Sequence, residues 1–141
     1  MNFLNFSLIN ELFMIRVTAG IVQRGNTILI ARKRPGKHME GLWEFPGGKI
    51  REGESAEACL ERELMEELGI KVRVTAHFMD SAYEYPGKQI CLEVYQALYL
   101  EGGITLTDHD QVEWVQVSEL SRYAFAPADQ PVVKRLLGAN L

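Results

Sequence analysis

Apolar and polar positions alternate in two different rhythms along the chain. Ile15–Arg24 and Thr27–Arg34 are β-rich runs around Gly25-Asn26, which predicts a hairpin. Pro35–Gly41 reads as a loop, and Leu42–Phe45 leads into Pro46-Gly47-Gly48, read as a tight turn. From Ala56 the rhythm changes. Leu60, Leu64 and Leu68 recur every four residues and so share one edge of a helix, predicted over about Ser55–Leu68. Ser55 is the expected N-cap and Gly69 the expected C-terminal stop. Val72–Tyr85 and Gln89–Leu100 return to strand character, joined by Pro86-Gly87. Glu101-Gly102-Gly103 is a turn, and Val112–Val117 a short strand. Ser118–Tyr123 and about Pro127–Leu137 read as helical, with Ser118 and Asp129 as N-cap candidates. Strands interleaved with two main helices predict an α/β fold in which helices flank a mixed sheet.

The helix beside Leu60, Leu64 and Leu68 carries an unusual second feature. Glu63, Glu66 and Glu67 stand at i, i+3 and i+4, on the same third of the circumference. Like charges at that spacing repel and weaken an isolated helix. A hard divalent cation such as Mg²⁺, which takes carboxylate oxygens, water and substrate phosphates as ligands, would reward the arrangement. Alone, the three glutamates are better explained as a solvated acidic face.

The flanking residues change that balance. Gly48, five residues, Glu54, seven residues, Arg62-Glu63-Leu64, one residue, Glu66-Glu67, one residue and Gly69-Ile70 specify nine positions across 23 residues. This is the order of the Nudix box, and the chain resembles Nudix hydrolases from about Ile15 to Leu137. The resemblance implies an α/β/α sandwich and metal-dependent cleavage of a pyrophosphate bond. It also implies that Glu63 and Glu67 are the strongest metal ligands, with Glu66 on the same face and the Gly48 carbonyl completing the site. Arg62 is implied to hold a glutamate in a bidentate pair, a surface salt bridge being its alternative. Glu54 is a ligand, a cap or an orienting carboxylate. One further carboxylate is implied from a later loop, at Asp108, with His109 and Asp110 beside it. The expected catalytic set is thus Glu54, Arg62, Glu63 and Glu66, and the metal set Gly48, Glu63, Glu66, Glu67 and Asp108. Mg²⁺ is the expected cofactor and Mn²⁺ its substitute. Arg32, Lys33 and Lys49 are the cations expected to meet phosphate; Lys49 follows Gly-Gly, where backbone N–H groups can also face anions. His38 and His77 read as structural or surface residues.

Within that family the segments LWEFPGGK, His38-Met39, YEYPG at Tyr83–Gly87 and FAPADQPVVKRL at Phe125–Leu136 resemble MutT-type enzymes. These sanitise the nucleotide pool in support of DNA replication and repair, cleaving a (d)NTP to (d)NMP and pyrophosphate by attack at the β-phosphorus. Asp129 stands where that group reads the base, and relatives acting on 8-oxo-dGTP often have Asn there. An ionised carboxylate only accepts hydrogen bonds, so Asp129 in that state suits adjacent donors on guanine or the amino group of cytosine. A plain N-cap role for Asp129 is the alternative. Phe45, Ile90 and Leu92 wall the base pocket or belong to the core. The leading expectation is an 8-oxo-dGTP diphosphatase-like activity, followed by a pyrophosphohydrolase of CTP or modified dCTP. A non-catalytic Nudix-like base-binding module is a third option, but such modules lose the box glutamates that this chain keeps. Hydrolases of ADP-sugars or dinucleoside polyphosphates carry extra elements that are not found here.

Composition adds bounds rather than direction. The 141 residues, 47% hydrophobic and 24% charged, are enough for one domain, placed at 15–141 after an extension at 1–14. That extension lacks a basic n-region, and Met14 is an alternative start. A net charge of −4 argues against bulk binding of nucleic acid or an anionic membrane, so the nucleoside triphosphate partner that the resemblance implies must be drawn in by metal ions and a few local cations. Cys59 and Cys91 form no metal or disulfide motif, no apolar run spans a bilayer, and a cytoplasmic location follows as an expectation. Monomer and homodimer remain equally open.

Overall fold

The computed structural model describes residues 14–139. Seven strands and two α-helices are assigned among them: β1 (Met14–Arg24), β2 (Thr27–Lys33), β3 (Trp43–Glu44), β4 (Gly47–Lys49), α1 (Ala56–Leu68), β5 (Lys71–Tyr85), β6 (Lys88–Glu101), β7 (His109–Val115) and α2 (Gln130–Ala139). Two 3-10 turns, Val117–Arg122 and Pro127–Asp129, lead into α2. The extension expected at the N-terminus lies outside the described residues apart from Met14, which opens β1.

The sheet runs β3-β2-β1-β6-β5, with β4 added on β1 and β7 on β2. It is mixed, because β1 runs parallel to β6 over ten paired positions, from Met14↔Gln89 to Gln23↔Leu98, while β5–β6 and β2–β7 are antiparallel. Residues that alternate along β1 face opposite sides, so the sheet has two buried faces. On one, Val22, Leu29, Ile70 and Val72 pack against Leu60, Leu64 and Leu68 of α1. On the other, Ile21, Ile30, Phe45 and Val94 pack against Leu120, Val132 and Leu136. The result is the α/β/α sandwich expected from the sequence.

Helix α1 keeps its glutamates because packing outweighs their repulsion. Leu60, Leu64 and Leu68 are fully buried, each worth about 1.5–3 kcal/mol relative to exposure, against tenths of a kcal/mol per repelling pair. Both ends are closed as expected: the Ser55 hydroxyl accepts from Ala58 N–H at 3.1 Å, and Gly69, at φ 70°, sends its N–H to the Met65 carbonyl at 3.0 Å.

Four local expectations are corrected. Gly47–Lys49 is a strand, paired with Val17–Ala19 of β1, rather than part of a turn. The last strand starts at His109, three residues early, and stops at Val115. Ser118 does not cap the first 3-10 turn; Gln116 takes that position, its N–H donating to Glu119 Oε1 at 2.9 Å. Asp129 is not the N-cap of the last helix: it lies inside the second 3-10 turn, and its carboxylate reaches across the molecule to Phe45.

Candidate active site

A cavity of about 490 Å³ opens where the start of β1, the β2–β3 loop, β4, α1, the β5–β6 hairpin and the last 3-10 turn converge. One end is lined by Gly48, Glu63, Glu67 and Asp108, the other by Phe45, Ile90, Leu92, Ala128 and Asp129. Lys33, Lys37, Lys49 and Lys88 lie on its walls.

The acidic end is built in two halves. In the first, Arg62 grips Glu54 with Nε at 2.6 Å and Nη2 at 2.9 Å, while Nη1 reaches Glu63 Oε1 at 2.9 Å and Glu66 Oε2 at 3.0 Å. This bidentate hydrogen bonding holds the Glu54 carboxyl down at about 2, below the usual carboxylate range. The same contacts, Glu54 first, push the Arg62 guanidinium up. Arg62 and Glu54 are mostly covered, and Glu63 is only 13% exposed, so this is a fixed clamp rather than a surface salt bridge. Glu63 lies directly against Gly48, where any side chain would collide with its carboxyl.

In the second half, Glu67 meets Asp108 on the loop before β7. Burial, then the hydrogen bond and charge of Asp108, raise the Glu67 carboxyl well above its ordinary value. Burial would raise Asp108 too, but its contacts with Glu67 and Lys37 and the nearby charge of Lys33 outweigh that and hold it low. The loop is tied to α1 by Thr107, whose hydroxyl donates to the Glu67 carbonyl at 2.9 Å, and by Thr105 N–H to the Leu68 carbonyl at 2.9 Å.

Among the described residues no three acidic, histidine or cysteine side chains are grouped as a metal shell: Glu63 is turned to Arg62 and Glu67 to Asp108. The donor set nonetheless fits a hard divalent ion. It is all oxygen, it sets two carboxylates against each other in a covered place where a cation would relieve their repulsion, and Gly48 leaves the clearance that Glu63 needs.

The base-facing end centres on Asp129, which is only 6% exposed. Its Oδ1 accepts from Phe45 N–H at 2.9 Å. Burial first, then the charge of Glu44, pushes this carboxyl well above the ordinary carboxylate range. That favours the neutral form over an ionised, acceptor-only Asp129; a neutral acid would donate through its O–H and still accept. Its backbone is fixed by Ser81, whose hydroxyl donates to the Ala128 carbonyl at 2.9 Å. Phe45 stacks on Phe125 with ring centroids 5.2 Å apart, and Phe45 and Leu92 serve both core and cavity wall.

Not every expected residue reaches the cavity. Glu66 and Glu54 stay on Arg62, outside the lining. Arg32 points away, bidentate to Asp110 at 2.8 and 3.1 Å. As neighbours on β2 the two point to opposite faces, and the register shift that leaves Asp110 unpaired on β7 sets Lys33 opposite His109, where it lines the cavity. Lys37, Lys88, Glu44 and Tyr85 line it too, none of them among the expected site residues. Glu44 is held at Oε2 by the buried His109 Nε2 at 3.2 Å, with Lys33 at 3.8 Å. Strand alternation around the buried Trp43 and Phe45 was the available signal for Glu44.

Comparison with known proteins bears on the family and the fold. A family model described as NUDIX domain matches residues 14–136. The chain is 35% identical over 124 residues to the CTP pyrophosphohydrolase of Escherichia coli, covering 88% of this chain and 92% of that protein. It is 34% identical over 123 residues to the 8-oxo-dGTP diphosphatase of Escherichia coli, covering 86% and 95%. The solution structure of the E. coli ORF135 protein superposes with a TM-score of 0.80 at 34% identity, covering 90% of this chain and 91% of that one.

Proposed function

The chain belongs to the Nudix domain family and is a Nudix hydrolase, a family that works on nucleotides with divalent metal, and from that premise we propose that it converts a (d)NTP to (d)NMP and pyrophosphate with Mg²⁺. The observation that carries this reading is one cavity joining a carboxylate cluster, four lysines and a base-sized apolar end closed by Asp129. Gly48, Glu63, Glu67 and Asp108 would hold the metal, which supplies charge neutralisation and a more acidic water. Arg62 keeps Glu63 in place. Lys33 and Lys49 face the phosphates, and Phe45, Ile90 and Leu92 wall the base. Among the described residues no helix is long and apolar enough to cross a membrane.

The chemistry of Asp129 narrows the base. A neutral carboxylic acid offers a donor beside an acceptor. It complements a base edge with an acceptor next to a donor: O6 with N7–H in 8-oxoguanine, or N3 with the amino group in cytosine. Adenine presents the same pattern at N1 or N7 beside its amino group, and guanine at O6 beside N1–H. Only on the O6/N7 edge, where unmodified guanine shows two acceptors, does this pairing separate guanine from 8-oxoguanine. 8-Oxo-dGTP is the first reading. CTP is the second, favoured by the relative of that name. A panel of nucleotides with Mg²⁺, scored by separating products, ranks them. Asp129→Ala should flatten the ranking, removing about ten- to hundredfold of preference, as expected for one charge-assisted or buried hydrogen bond. Asp129→Asn should keep the order. A ranking unchanged by Asp129→Ala means the base is read elsewhere.

A further inference from the structure

Lys37 sits in the β2–β3 loop with its Nζ 3.3 Å from Asp108 Oδ1. We infer that Lys37 is the resident counter-cation of the Glu67–Asp108 pair, that it yields its place to a divalent ion, and that it then turns to the triphosphate. This rests on the metal site proposed above.

The two acidic half-sites are neutralised in contrasting ways. Arg62 is a planar fork, mostly covered, making charged contacts to three carboxylates at once. Nothing a cation brings could release it without exposing those carboxylates to each other. Lys37 makes one contact, from a flexible four-carbon stem, with its side chain 50% exposed and that of Asp108 36% exposed. An exposed pair of this kind is worth little in water, so a doubly charged ion with oxygen ligands displaces it readily.

The loop keeps Lys37 nearby once it is displaced. Arg34 N–H donates to the Asp108 carbonyl at 3.2 Å and Gly41 N–H to the Lys33 carbonyl at 2.9 Å, anchoring both loop ends. Between them Met39 holds φ 63°, a left-handed conformation unusual for a side-chain-bearing residue, and His38 meets Tyr85 edge-on at 5.2 Å. Lys37, His38 and Met39 all line the cavity. A freed ammonium is thus retained on the wall where a bound triphosphate would lie. Lys33, by contrast, is already shared with Glu44 at 3.8 Å.

The test uses the full chain without nucleotide. Mn²⁺ binding is titrated by electron paramagnetic resonance in the parent, Lys37→Gln, Lys37→Arg and a Glu67→Gln/Asp108→Asn double variant. KM and kcat are then measured on the best nucleotide of the panel. Lys37→Gln should bind Mn²⁺ about two- to fivefold more tightly, the scale of one exposed ion pair, with Lys37→Arg near the parent. Its KM should rise about three- to tenfold with kcat nearly unchanged, the pattern of lost uniform binding. Opposite signs in the two readouts are the signature, because a damaged loop would weaken both. Unchanged or weaker Mn²⁺ binding in Lys37→Gln overturns the counter-cation role, and a KM that does not rise overturns the transfer to triphosphate. If the parent does not bind Mn²⁺, or the double variant binds it as well as the parent, the metal site itself is wrong and the inference falls with it. Binding that is lost in the double variant but untouched by Lys37→Gln defeats the inference alone.

Discussion

Replacing Gly48 by alanine separates the position of Glu63 from its charge. A Cβ on Gly48 would lie 2.7 Å from Glu63 Cγ and closer still to its carboxyl group. Real side chains do not tolerate that approach, so Glu63 has to swing away. The backbone at Gly48 needs no left-handed conformation, and no backbone atom is among the nearest contacts. The fold should therefore survive at a cost of about 1 kcal/mol, the scale of one charged hydrogen bond from Arg62 that re-forms imperfectly. Activity should respond far more strongly. A displacement of about 1 Å in a positioned group can cost on the order of a hundredfold, so kcat should fall by about that factor or more. Gly47→Ala is the contrasting control. Its Cβ would lie 2.7 Å from the Thr18 carbonyl carbon and 2.9 Å from Ala19 Cα, both backbone atoms of β1. Neither can move without opening the β1–β4 pairing, so this variant should lose stability first, seen in thermal melts. A Gly48→Ala enzyme within threefold of the parent in kcat would refute the placement of Glu63 in the reacting cluster.

Arg62→Lys keeps the charge and loses the fork. It should lower kcat by about ten- to hundredfold while the fold persists, because a single ammonium cannot serve Glu54, Glu63 and Glu66 together; steady-state kinetics with circular dichroism check this, and near-parental kcat reduces Arg62 to a generic countercharge. Asp129 gives a pH signature. Its folded-state carboxyl titrates well above the unfolded value, so the folded chain holds a proton that the unfolded chain releases above about pH 4. The stability it supplies is full below that value and declines as pH rises toward the folded one, by up to about 1.4 kcal/mol per unit. Asp129→Asn does not titrate and should gain on the parent in melting temperature from pH 5 to pH 8. A constant difference between the two proteins contradicts the raised carboxyl.

The parts legible in the sequence are those fixed by local spacing. Leu60, Leu64 and Leu68 share a helix edge, and Glu63 and Glu67 share a face, whatever the rest of the chain does. Ser55 and Gly69 mark the helix ends for equally local reasons. What stayed hidden depends on partners far away in sequence. Gly47–Lys49 reads as a turn on its own residues and becomes a strand because β1 lies beside it. Arg32 and Lys33 face opposite sides of one strand, but which side holds the site is hidden until β7 brings Asp110, 78 residues away, against Arg32 and leaves Lys33 in the cavity. Asp129 satisfies the rule for an N-cap, yet its carboxylate crosses 84 residues of sequence to the Phe45 amide. Burial at that contact then raises its carboxyl, which the local sequence does not show.

The most direct test of the whole account is hydrolysis of the best nucleotide in ¹⁸O-water with Mg²⁺, followed by mass analysis of both products. The expected products are nucleoside monophosphate and pyrophosphate, with the label in pyrophosphate and turnover lost on chelating the metal. Label in the monophosphate would move the attack to the α-phosphorus, and release of orthophosphate from the triphosphate would contradict pyrophosphohydrolysis altogether.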